Sequence, residues 1–186
     1  DGGGPAVSRT FAFLRALNVG GHTVTMARLR ELFEDLGLKR VGTFIASGNV
    51  VFDGGTSSEA ALRKRIEGHL AKALGYEVAT FLRSERELAA LVRGCPFSPA
   101  EVAAARALNV AFLQEPLTGE GLARLQTLST EVDALSAKGR EVWWLCQAKQ
   151  SESTFSNAAF EKATGVKATF RGFNTLQRLA DKHLEA

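Results

Sequence analysis

Val41-Gly42-Thr43-Phe44-Ile45-Ala46-Ser47-Gly48-Asn49-Val50-Val51-Phe52-Asp53 is the stretch that decides the fold. Residues 41–46 and 50–53 are apolar runs rich in β-branched and aromatic side chains, and the polar corner Ser47-Gly48-Asn49 separates them. Runs of this kind bounded by turn residues read as two strands around a hairpin or tight bend. So short a connection cannot carry a parallel crossover, which needs a dozen or more residues. The central strands are therefore expected to be antiparallel, which argues against a purely parallel doubly wound sheet.

On the N-terminal side, residues 10–17 (Thr-Phe-Ala-Phe-Leu-Arg-Ala-Leu) read as a strand ending at Asn18-Val19-Gly20-Gly21, where two glycines admit positive φ. Thr25 is a candidate N-cap for a helix carrying Met26, Leu29, Leu32, Phe33 and Leu36 at helical spacing, with Gly37 as its stop. On the C-terminal side, Asp53-Gly54-Gly55 ends the strand and Thr56-x-x-Glu59 has a capping-box pattern. The helix it opens presents Leu62, Ile66, Leu70, Ala73 and Leu74 on one stripe and stops at Gly75, and residues 76–82 read as a closing strand. The order is β-α-β-β-α-β.

A helical connector follows, with Ser84-x-x-Glu87 opening one helix that Pro96 ends, and Ser98-Pro99-x-Glu101 opening another. The same order then recurs. Strands are expected over 108–114, 130–136, 140–146 and 166–171, the middle two around Ala137-Lys138-Gly139. Helices are expected over 118–128, with Leu122 and Leu125 on the apolar side, and over 156–164, with Gly165 as stop. A last helix is expected from Asn174, with an Asn174-x-x-Gln177 cap and Leu176, Leu179, Ala180 and Leu184 on its apolar face.

The expectation is an α+β protein of two tandem βαββαβ α/β-plait (ferredoxin-like) domains with antiparallel sheets. A single continuous α/β sheet is the alternative. The reading divides the chain into a flexible lead-in at 1–9, a first plait at 10–83, a connector at 84–106, and a second plait with its final helix at 107–186. Phe11 and Phe13 alternate with Ala12 and Leu14, Val110 and Phe112 with Ala111 and Leu113, and Val142 and Trp144 with Trp143 and Leu145. Strands apolar on both sides are buried on both sides. Coverage of the open faces, with a crevice between the two plaits as a place for a ligand, is the expectation.

With 45% hydrophobic residues the chain has enough apolar material for a core, which rules out wholesale disorder. A net charge of +3, scattered along the chain, makes no concentrated basic footprint for nucleic acid. No apolar run reaches the ~20 residues of a membrane span, and no secretory leader is visible. Cys95 and Cys146 lie far apart and read as two buried thiols in a reducing, cytoplasmic setting. The histidines His22, His69 and His183 form no ligand pattern with each other or with the cysteines, so neither a metal nor a cofactor is expected.

Three groups of residues are candidates for chemistry. Arg15, Asn18, Gly20 and Gly21 lie between a strand and a helix N-terminus, where free N–H groups, the helix dipole and a guanidinium suit an anion. The GxGxxG spacing and the Walker lysine are both missing there. Ser47, Gly48 and Asn49 form the strand–strand corner; they are ordinary turn residues too, and no GxSxG surrounds the serine. Ser153, Ser156, Asn157, Arg171, Asn174 and Thr175 gather late in the chain, where several read equally well as helix caps. Trp143 and Trp144 could stack a base, although one of them must face the core.

These residues resemble a bacterial domain-of-unknown-function family whose members open with an LRGINVGG-type segment and carry a YIQSGNVVF-type segment. The likeness rests on Leu14-Arg15-Ala16-Leu17-Asn18-Val19-Gly20-Gly21, on Met26-Ala27-x-Leu29-Arg30, and on Ser47-Gly48-Asn49-Val50-Val51-Phe52. It extends to Asn109-Val110-Ala111-Phe112-Leu113 and to Ala168-Thr169-Phe170-Arg171-Gly172-Phe173-Asn174-Thr175. It implies a pair of α/β-plait domains and brings no activity. Ala16 stands where the family has glycine, Ser153-Thr154-Phe155-Ser156-Asn157 replaces an SKLTN-like string and loses its lysine, and Gly172-Phe173 replaces Asn-Trp.

Three functions compete. Binding of a small anionic metabolite or nucleotide ranks first, with Arg15, Asn49 and Arg171 as polar contacts. A nucleic-acid-binding module ranks second, since plait sheets often take that role. An enzyme ranks third, because no nucleophile–base pair is visible along the chain. Oligomeric state leaves no trace in the sequence.

Overall fold

The computed structural model describes residues 8–18, 20–44, 48–54, 58–149 and 152–184. The chain divides into two compact units, one of Asp1–Ala89 with Asp181–Ala186 and one of Ala90–Ala180.

In the first unit, β1 (Arg9–Leu14), β2 (Gly42–Thr43), β3 (Asn49–Asp53) and β4 (Thr80–Ser84) form a sheet in the order β2-β3-β1-β4. Every pairing is antiparallel, with Phe11 opposite both Val51 and Arg83. Helices α1 (Met26–Glu34) and α2 (Glu59–Leu74) bury Leu29, Leu32, Phe33, Leu62, Ile66 and Leu70 with Ala12, Leu14, Val50 and Phe52 of the sheet. Thr25 caps α1 as expected, its hydroxyl accepting from the Arg28 amide. Gly75 ends α2 in the left-handed conformation at φ 84°, which glycine adopts without a Cβ penalty.

The second unit repeats this plan. After the end of α3 (Glu85–Arg93) and after α4 (Pro99–Ala104), strands β5 (Ala107–Phe112), β6 (Asp133–Lys138), β7 (Glu141–Cys146) and β8 (Thr169–Gly172) pair antiparallel in the order β6-β7-β5-β8. Helices α5 (Gly119–Gln126) and α6 (Asn157–Thr164) accompany them, and α7 (Phe173–His183) closes the chain. Leu125 and Phe160 pack with Ala111, Val142 and Trp144 in its core. The fold is thus α+β, two tandem α/β plaits. Both side-chain rows of β1, β5 and β7 are buried: Phe11, Ala12, Phe13 and Leu14 alike, Val110 to Leu113, and Val142 to Leu145. The alternation anticipated this.

Several boundaries moved for identifiable reasons. The stretch read as strand 76–82 becomes a regular strand only at Thr80, and Tyr76 at its start is engaged elsewhere: its hydroxyl donates to the Leu17 carbonyl at 2.6 Å. Of residues 41–46, the described part at 41–44 forms the short strand Gly42–Thr43, and 45–46 lie outside the described residues. The α2 cap is Ser58, whose hydroxyl accepts from the Ala61 amide; Thr56, expected in that role, lies outside the described residues. β6 runs on to Lys138, so the hairpin turns on Gly139-Arg140 alone. Leu122 is exposed, and Gly121 with Leu125 faces inward instead. Helix α7 starts at Phe173, so Asn174 is its second residue and not its cap. Cys146 is buried and free as expected, while Cys95, also free, is only half-buried beside Pro96.

Candidate functional site

At the end of β1 the backbone leaves the sheet by a defined route. The Arg15 amide donates to the Ala79 carbonyl at 2.9 Å, and Ala16 follows at φ 55°. Ala16 is the residue that replaces the family glycine. A left-handed alanine costs about 1–2 kcal/mol, so the departure falls where it carries strain. Tyr76 holds Leu17 from outside, and its ring stacks on His22 with centroids 4.2 Å apart. The Asn18 carboxamide oxygen accepts from the Val24 amide at 2.8 Å and closes the loop. Gly20 and Gly21 lie at φ 61° and 82°, the positive region expected of them. The loop then delivers the chain to Thr25 and the start of α1.

The second candidate motif meets the first here. The Leu14 amide donates to the Gly48 carbonyl at 2.8 Å, one residue before Arg15. Gly48 has φ 94°, beyond the range a side chain tolerates easily. Asn49 is 4% exposed and pairs with Phe13 across the sheet. Its Nδ2 donates to the Phe44 carbonyl at 3.0 Å, while the Phe44 amide donates to the Asn49 carbonyl at 3.1 Å. Arg15, Gly48 and Asn49 therefore share one corner of the first unit, and Asn18, Gly20 and Gly21 follow Arg15 in the loop that leaves it. Arg15 is half-buried, Asn18 and the glycines of its loop are exposed, and the carboxamides of Asn18 and Asn49 hold backbone. Ser47 lies outside the described residues.

The Tyr76 bond yields a prediction. Tyr76→Phe removes the hydroxyl that holds Leu17 and costs about 1 kcal/mol. Amide exchange of the Val24 N–H is expected to accelerate while that of α2 does not; equal acceleration in α2 would show that Tyr76 acts on the whole unit.

Arg171 and Asn174 belong to the second unit. Arg171 donates from Nη1 to the Thr169 hydroxyl at 2.7 Å and to the Phe170 carbonyl at 2.8 Å. Burial pushes its pKa down to about 10. Asn174 is exposed in the first turn of α7. Ser156 caps α6, and Asn157 donates to the Ala168 carbonyl. Trp143 packs on Phe173, and Trp144 packs on Phe155 and Phe170. Both indoles are buried, so neither offers a face for base stacking.

Two buried charged residues carry no mark in the sequence. Arg83 is 1% exposed and occupies the slot in β4 that Arg171 occupies in β8: one faces Phe11 of β1, the other Val110 of β5. Each donates from Nη1 to the carbonyl of the residue before it, at 2.8 Å. A lone arginine at a strand end carries no sequence mark of burial; the match between repeats is the signal that finds it. Asp133, 2% exposed, accepts from Trp144 Nε1 at 2.7 Å, from Ser153 at 2.7 Å and from Thr130 at 2.8 Å. Burial alone would raise its pKa, but the hydrogen bonds from Ser153, Trp144 and Thr130 outweigh that and hold it below the usual carboxylate range. Ser153 is thereby a structural donor, spent on Asp133.

Among the described residues no cluster of three or more His, Cys, Asp or Glu is placed to hold a metal ion. A cavity of about 360 Å³ in the second unit is rimmed by Glu115, Thr118, Glu120 and Arg124, of which Arg124 and Glu120 neutralise each other at 2.7 Å. Among the described residues no helix is long and apolar enough to cross a membrane.

No curated protein matches the chain. A solved structure of a conserved bacterial protein from Streptococcus pneumoniae is similar in fold: TM-score 0.70, 23% identity, covering 95% of this chain and 98% of that one. The family model described as "Protein of unknown function (DUF1697)" matches residues 7–143, a span that takes in the Arg15 loop, the Gly48-Asn49 corner and strands β1 to β6. On that match the chain belongs to the DUF1697 family.

Proposed function

We propose that this protein binds a small anionic ligand, a metabolite or nucleotide presenting phosphate or carboxylate oxygens, at the corner built by Arg15, Gly20, Gly21, Gly48 and Asn49. The observation that carries the reading is the pair of hydrogen bonds from the Leu14 amide to Gly48 and from the Arg15 amide to Ala79, which seats a half-buried arginine between the Gly48 turn and the segment leading into β4. Gly20 and Gly21 are exposed, and the start of α1 adds its dipole. Arginine supplies planar, bidentate recognition of such oxygens. Arg171 and Asn174 stay outside this reading, because the Arg171 guanidinium is committed to Thr169 and Phe170. We place the protein in the cytoplasm, a reading supported by its free thiols Cys95 and Cys146.

Thermal unfolding in the presence of inorganic phosphate, a nucleoside triphosphate or a dicarboxylate tests the proposal. Occupancy at 100 times Kd stabilises by about 2.7 kcal/mol, a shift of several degrees. Arg15→Ala is expected to abolish the shift. No shift with any of the three at millimolar concentration would sink the reading.

A further inference from the structure

His183 ends α7 and is grouped with the first unit. Its imidazole meets two rings of that unit edge-on: Phe11 of β1, with centroids 6.1 Å apart, and Phe44, with centroids 5.8 Å apart. The Lys182 ammonium stands 5.3 Å from the centroid of the Phe44 ring, within cation–π range. Phe44 is the residue whose backbone N–H and C=O are both bonded to Asn49. Two side chains from the far end of the sequence thus press on the ring whose main chain fixes the Gly48-Asn49 corner.

We propose that His183 and Lys182 are positioning residues for that corner: they hold Phe44, and Phe44 sets Gly48-Asn49 against the end of β1 beside Arg15. The proposal rests on the anion-binding reading of the corner and adds to it the residues that order it. The hold is sensitive to acid. Burial pushes the His183 pKa down, and the charges of Arg9 on β1 and Lys182 on α7 add to the effect. Arg9 is itself paired with Asp53 at 3.1 Å. A base whose folded pKa lies below its unfolded value favours the neutral form in the folded state. The contribution is therefore present above the unfolded value of about 6.5 and is lost as the pH falls below it. Protonation would set a third cation beside Arg9 and Lys182.

Residue-resolved amide exchange on the full chain, corrected for the intrinsic pH dependence of exchange, tests this together with a titration of inorganic phosphate. The amides to follow are Leu14 and Phe44, whose acceptors are the carbonyls of Gly48 and Asn49. His183→Ala is expected to speed their exchange roughly tenfold, with β7 amides unchanged, and to weaken phosphate binding several-fold. His183→Phe keeps the edge-on ring contacts. It is expected to restore protection and affinity, and to remove the loosening that the parent chain shows as the pH falls from about 6.5 through the lower folded value of His183. Unchanged exchange at Leu14 and Phe44 in His183→Ala overturns the proposal, as does a uniform rise that includes β7. If the two amides respond locally but the parent chain binds no phosphate, the positioning role stands and the anion reading fails.

Discussion

Asp133→Ala is expected to destabilise the protein by about 3 kcal/mol, a penalty set by what the carboxylate leaves behind. The hydroxyls of Thr130 and Ser153 can rotate, and both already accept backbone N–H groups, from Val132 and Asp133 and from Phe155 respectively. The Trp144 indole N–H cannot turn away. It is buried under Phe155 and Phe170 and would lose the Asp133 carboxylate as its acceptor. An unpaired buried donor carries the full desolvation cost. Asp133→Asn should be milder, because the amide oxygen can still take the indole N–H. Guanidinium titration followed by tryptophan fluorescence reads the effect, since both tryptophans belong to this unit. A midpoint unchanged by Asp133→Ala would show that the indole finds water.

The same carboxylate gives a pH limb. Its folded pKa lies below the unfolded one, so the native state favours the charged form. The contribution is complete above about pH 4 and disappears as the pH falls through the folded value. Asp133→Asn should flatten that limb while leaving the rest of the acid profile in place.

Phe52→Ala is expected to cost about 3–5 kcal/mol. Phe52 is fully buried in β3, packed on Phe33 of α1 at 5.7 Å between centroids, in a cluster with Ile66 and Leu70 of α2. Truncation removes the ring from contact with both helices and leaves a void that rigid neighbours cannot close. Phe52→Leu should cost less than about 2 kcal/mol, since a branched aliphatic side chain retains much of the volume. Far-UV circular dichroism during denaturation measures both variants. A loss for Phe52→Ala no larger than that for Phe52→Leu would mean that the helices collapse onto the gap.

The parts of the fold that were legible in the sequence are those written locally. The Ser84/Glu87 and Ser98/Glu101 capping boxes form reciprocally, each needing only four consecutive residues. Gly75 and Gly165 end their helices left-handed, as a residue without Cβ does. What misled was apolar character used for something other than pairing. Tyr76 and Val78 look like strand residues, yet they bury against the helices and the Leu17 loop before β4 begins. Where Thr56, Ser57 and Ser58 stand in a row, capping chemistry alone cannot choose among them. The corner itself was half legible. Each motif was visible as a turn, but their meeting depends on the Leu14–Gly48 hydrogen bond, which no spacing announces. Asp133 was invisible for the same reason: its partners Trp144 and Ser153 lie 11 and 20 residues away.

The two sheets guard matching borders by different means. In the first, the outermost strand β2 is only Gly42–Thr43, so another polypeptide finds almost no ladder to extend. In the second, the outermost strand β6 is six residues long and would make a far better template for intermolecular stacking. It ends on the exposed cation Lys138, next to the hairpin tip. Resistance to aggregation in this half therefore falls to charge, where its counterpart relies on brevity.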